Sequence, residues 1–174
     1  MPLSLHAAYV PSALQMLGAT RHIVDKAEEW CAESGTAPAD LVGACLREDM
    51  LPFAYQVKSV ATHTALALEG VRAGQFSPDM SPPPIEFDAM RAKLDTATET
   101  LEAAGEEEFE SFIGKPMVFT IKDKFRLDFT ADNFLLSFSQ PNFYFHASTA
   151  YGILRMKGAQ IGKQDYLGRM RLAG

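Results

Sequence analysis

The chain has 174 residues, enough for one hydrophobic core, and a net charge of -6 at pH 7. That charge argues against nucleic acid as the main partner, whose phosphates call for a basic surface. A 47% hydrophobic content is ordinary for a globular protein, and no apolar run approaches the roughly 18–20 residues of a membrane span.

The N-terminus, MPLSLHAAYVPSALQM, lacks the basic start and apolar block of a secretion signal. The first helix is expected from about Leu3 to Ser34. Leu14, Leu17, Ile23, Val24, Ala27, Trp30 and Cys31 recur at threes and fours along it, and Gly35 supplies a C-cap. Pro11 either kinks this helix or marks its true start. Cys31 and Cys45 show neither CxxC nor zinc-finger spacing, which reads as two free thiols in a reducing cytoplasm, with a 31–45 disulfide as the alternative.

A short helix follows from Pro38 to about Leu46, then a long second helix from near Asp49 to Gly70, with Pro52 in its first turn. The Pro-rich SPDMSPPP stops it. The third long helix spans about Glu86 to Gly105, with Met90, Leu94, Ala97 and Leu101 on its apolar face. Glu106 to Glu108 reads as a solvated turn. Period-two alternation in MVFTI and FRLDFT predicts a hairpin with strands Met117–Ile121 and Phe125–Phe129 and a turn at Lys122 to Lys124. Ala131 to Phe138 leads into the last helix, which opens at Pro141 and closes at Gly158. The expected fold is therefore mainly α: one domain over residues 1–174, an antiparallel up-down four-helix bundle with a small β-hairpin inserted before the last helix.

The chemistry-bearing residues are few. Of His6, His22, His63 and His146, no two are spaced to chelate from one helix, and HxxxH and ExxH are absent. The pair to watch is His63 on the second helix and His146 on the last. Asn142 lies one turn before His146, and Gln56 and Asp49 lie on or near the second helix. Asp49, with Glu48, is also explained by capping and the helix dipole. Tyr144, Ser148, Tyr151 and Arg155 make a polar face that reads either as a ligand-facing stripe or as a solvated or dimer contact. The plainer reading of both histidines is hydrogen bonding within a helical interface. No phosphate-binding glycine loop is present.

LREDMLPFAYQV, PNFYFH, the ILR turn and the closing IGKQDYLG together resemble a bacterial family of unknown function in the DinB/YfiT-like metalloenzyme superfamily, over nearly the whole chain. That resemblance implies a four-helix bundle, often a homodimer. It also implies a divalent metal, zinc or nickel, held by one histidine on the second helix and an HxxxH pair on the last. Some members are thiol-dependent transferases or isomerases. His146 matches the first histidine of the pair, but its i+4 partner is Ala150 and its i−4 neighbour is Asn142. The second-helix ligand position falls near Asp49 to Gln56, where no histidine stands, and His63 lies about two turns further on. Met156 follows ILR, where relatives carry a histidine. The expectation is a small-ligand-binding, non-catalytic relative with a degenerate metal site and no cofactor, its pocket formed by His146, Asn142, Gln56, Asp49 and Tyr151. The alternative is a metal-dependent enzyme using His146 and His63, and a purely structural dimer is a third reading.

Overall fold

The computed structural model describes residues 3–122 and 125–173. Helix α1 (Leu5–Ser34) runs through Pro11, so the proline neither starts nor ends it. Ser4 caps its N-terminus by accepting from the Ala7 amide at 3.1 Å, and Gly35 closes it at φ 70. Helix α2 (Pro38–Val42) stops short of Leu46, at Gly43.

Helix α3 (Phe53–Ala61) begins after Pro52, which acts as its N-cap, so Asp49 lies in the preceding loop. A π turn at Thr62–Leu66 joins it to α4 (Ala67–Ala73), which runs past Gly70 to Gly74. The two-residue strand β1 (Gln75–Phe76) follows directly. Gly70 is required there, since a Cβ at that position would stand 2.9 Å from the Cβ of Phe76.

Helix α5 (Phe87–Glu102) presents Met90, Leu94, Ala97 and Leu101 to the core. The acidic run is a one-turn helix rather than a solvated turn: α6 (Glu106–Glu110). Its Glu110 carboxylate accepts from the Leu5 amide at 2.6 Å, which satisfies an otherwise orphaned donor of α1.

Strands β2 (Pro116–Ile121) and β3 (Phe125–Thr130) form the expected antiparallel hairpin, and β1 adds to β2 in parallel. Of the expected turn, Asp123 and Lys124 lie outside the described residues. The last helical stretch starts ten residues before Pro141. Helix α7 (Ala131–Asn133), a second π turn (Phe134–Ser139) and α8 (Gln140–Met156) follow one another without a break. Pro141 has no N–H, so the ladder is interrupted there in any register, and the widened turn lies just ahead of it. A short α9 (Lys163–Leu167) docks on α1, where Gln15 donates to the Leu167 carbonyl at 2.7 Å.

Helix α1 packs against α5 and α8, and α3 packs against α8 and α5. Tyr9, Phe53, Phe134, Phe143, Leu68 and Met90 are wholly buried between them. The fold is thus mainly helical with a small three-stranded sheet. Cys31 is buried, Cys45 is half-buried, and both are free thiols. Among the described residues no helix is long and apolar enough to cross a membrane.

Candidate functional site

Gln56 and His63 are seven residues apart, two turns along the same helical run, and therefore share one face. The same spacing relates Ser139 and His146 on the last run. These two faces meet, and each run is widened by its π turn close to the meeting point.

The His63 carbonyl, inside the first π turn, accepts from Tyr9 Oη at 2.8 Å and from Ser139 Oγ at 2.6 Å. Tyr9 and Ser139 are wholly buried. Burial holds the Tyr9 phenol well above its ordinary pKa, so it stays a donor. This hydroxyl clamp fixes the backbone that carries the His63 ring. That ring stacks on the ring of His146, with centroids 5.5 Å apart and planes 12° from parallel. Phe76 and Phe138 flank His63 at 5.8 and 5.9 Å, and Tyr55 meets His146 edge-on at 6.0 Å.

His146 Nδ1 lies 2.7 Å from Gln56 Oε1, while Gln56 Nε2 donates to the Leu51 carbonyl at 2.7 Å. Turning the amide over would set two oxygens against each other, so the oxygen faces the imidazole. An amide oxygen only accepts, and Nδ1 of His146 therefore carries the proton and Nε2 the lone pair. Burial, with His146 close by, pushes His63 down to about 3, and burial pushes His146 down to about 4. Both rings are neutral at pH 7. His63 is 8% exposed, and its Nδ1 is buried without a hydrogen-bond partner among the described residues. Such an atom is rare in a folded protein and calls for a reason.

Of the residues singled out in the sequence, His63, His146 and Gln56 come together. Asn142, one turn before His146, is half-buried, with its amide donating to the Phe138 carbonyl at 2.7 Å rather than to either histidine. Asp49 does not join them. It stays exposed because α3 starts only at Phe53, and no described hydrogen bond ties it to either histidine. Tyr151 packs against Tyr166 of α9 at 6.0 Å, and its five-residue offset turns it about 140° from His146. Tyr9, Ser139 and Tyr55 belong to the site and were missed. Tyr9 and Ser139 are 54 and 76 residues from the carbonyl they clamp, and no local pattern marks them.

The residues present do not fit a three-histidine metal set. Such a set needs a third imidazole, and the other two histidines lie elsewhere, His6 against Phe109 and His22 bonded to Asp165. His146 Nδ1 is taken by Gln56, and Ala150 is buried in the core. Among the described residues no group of three or more His, Cys, Asp or Glu side chains is placed to hold a metal ion.

A family described as a domain of unknown function (DUF1993) matches residues 5–167. The chain is also similar to the crystal structure of a DinB family member protein from Shewanella denitrificans. That match has a TM-score of 0.81 at 24% identity and covers 98% of this chain and 95% of the other. No curated protein matches.

Proposed function

We propose that this chain, which belongs to the DUF1993 family and has a DinB-like fold, binds a small molecule at the His63–His146 pair without a resident metal. The observation that carries the reading is a neutral imidazole whose accepting nitrogen is set by Gln56, stacked on a second whose Nδ1 is buried and unpaired. A site of this kind favours a neutral hydrogen-bond donor. A cation finds no countercharge on two uncharged rings, and an anion finds no positive charge on them. The packing of α1, α3, α5 and α8 on one another supports an antiparallel four-helix bundle as the scaffold.

One observation favours the metal-dependent reading. A ligating histidine usually donates its other ring N–H to an oxygen, as His146 does to Gln56. Titration of the purified protein with zinc chloride and, separately, with phenol decides between the two. The metal-free reading expects phenol to shift the ring resonances of His146 and of the stacked His63 saturably, with the His63 response lost in His146→Ala, and expects no stoichiometric zinc uptake. One equivalent of tightly held zinc, abolished by His146→Ala, would establish the metal reading instead.

A further inference from the structure

A cleft of about 730 Å³ lies between α5, the first π turn and the Pro-rich loop, and neither His63 nor His146 lines it. We propose that this cleft is a second ligand site, and that its ligand is a small monocarboxylate with an apolar body. The carboxylate sits on Lys93 and the body lies between Ala61, Ala65 and Ala92. This site does not rest on the reading of the histidine pair.

Helical spacing builds two of its walls. Ala61, Ala65 and Glu69 follow one another at fours through the π turn, with Leu66 beside them. Ala89, Ala92, Lys93, Thr96 and Thr100 recur at threes and fours along α5. The bulky residues of α5, Met90, Leu94 and Leu101, are buried on its core side. Toward the cleft both runs present mostly short side chains, and the room that longer ones would fill stays open. Sites for small molecules run from about 300 to 1,000 Å³, so the volume suits one. Asp79, Pro82 and Pro84 close the third side. That loop is fixed by Lys58, whose buried ammonium has the Asp79 carbonyl, the Ser81 carbonyl and hydroxyl, and the Asp79 carboxylate as acceptors. A buried ammonium is tolerated only when it is bonded in this way.

The charge of the ligand follows from which groups in the cleft are already engaged. Glu69 is paired with Arg72. The Asp79 carboxylate accepts from Lys58 at 3.1 Å and from the Ser81 amide at 2.9 Å. Lys93 is left over. Its Nζ stands 3.9 Å from Asp79 Oδ2, too far for a hydrogen bond, and among the described residues it donates to no group. The hydroxyls of Thr62 and Thr100 turn back onto helix carbonyls at 3.1 and 2.9 Å. That of Thr96, one turn from Lys93 on the same wall, has no partner among the described residues. An ammonium and a hydroxyl one turn apart suit one carboxylate, and the alanines suit an apolar body. A cationic ligand would meet Lys93 with like charge, and a diacid would set its second carboxylate against Glu69.

The test uses octanoate, 1-octanol and octylammonium, which share a chain and differ in the charge of the head. Each is titrated into the full chain at pH 7 and read through the methyl resonances of Ala61, Ala65 and Ala92. Octanoate should shift all three saturably, with 1-octanol about tenfold weaker and octylammonium weaker still. Lys93→Met changes a partly exposed residue. It should lower the octanoate affinity about tenfold and leave that of 1-octanol within about twofold, while Lys93→Arg keeps most of the octanoate affinity. Equal affinity for octanoate and 1-octanol, or a preference for octylammonium, overturns the carboxylate. Alanine methyls that answer none of the three overturn the site. It is also overturned if light scattering finds twice the 19.1 kDa chain mass in the wild type and a single mass in Ala92→Arg, because the cleft then joins two copies. None of these readouts involves the His146 ring, so the histidine site stands or falls separately.

Discussion

Lowering the pH from 7 to 5 should destabilise the folded chain by about 4 kcal/mol through two imidazoles alone. His63 is pushed down to about 3 and His146 to about 4, against an ordinary 6.5. Below pH 6.5 the unfolded chain takes up a proton at each ring while the native chain refuses it. Stability is therefore full above pH 6.5 and falls by about 1.36 kcal/mol per pH unit per ring, until the native rings also protonate near 4 and 3. The 1.5 units between 6.5 and 5 give about 2 kcal/mol per ring, a large share of the 5–15 kcal/mol typical of a domain. His146 is only half-buried, so about 2 kcal/mol is the ceiling for its share. Asp79 is held down to about 2 by hydrogen bonds from Ser81 and the Lys58 ammonium, which outweigh its partial burial, and it titrates below this window. Urea unfolding followed by Trp30 fluorescence at pH 7, 6 and 5 measures the loss. In His63→Leu the loss should shrink to about 2 kcal/mol, the His146 share. The same pH dependence in wild type and His63→Leu would refute the burial of a neutral His63.

The hydroxyl clamp, the close approach at Gly70 and the buried lysine give three further expectations. Tyr9→Phe and Ser139→Ala should each cost about 1 kcal/mol. Together they strand the His63 carbonyl in a dry core, so a thermal-denaturation cycle should show coupling of about 0.5–3 kcal/mol; simple additivity would contradict the clamp. Gly70→Ala drives a Cβ into Phe76 and should destabilise by about 1–3 kcal/mol. Gly18→Ala, on α1 with nothing within 4 Å, should instead stabilise by about 0.5–1 kcal/mol, and a common sign in calorimetry would refute the contrast. Lys58 is 2% exposed and donates to the Asp79 and Ser81 carbonyls at 2.8 and 2.5 Å, strapping the Pro-rich loop to α3. In Lys58→Met, limited proteolysis within residues 77–84 should speed up, and an unchanged cleavage rate would show that the strap is not what holds the loop.

The long helices were legible because burial follows apolar periodicity, as Met90, Leu94, Ala97 and Leu101 show on α5. The hairpin was legible because its pleat alternates with period two. The π turns were not: they leave the composition of a helix unchanged, and their support comes from hydroxyls far away in sequence. Strand β1 was missed because two residues carry no period. The one-turn α6 was missed because its role lies in capping α1 with Glu110, a contact across 105 positions. Within the site, His63, His146 and Gln56 were readable as polar residues on helical faces. Asp49 and Tyr151 looked equally plausible, and only the start of α3 and the rotation along α8 remove them.

The most direct measurement is the nitrogen chemical shifts of the His146 ring at pH 7, assigned with His146→Ala and followed into Gln56→Leu. A site built as described gives a protonated Nδ1 and an unprotonated Nε2 in the native chain, mixed tautomers once Gln56 is removed, and no change when zinc is added. A protonated Nε2 in the wild type would leave no accepting nitrogen facing a ligand and would contradict the proposed site at its centre.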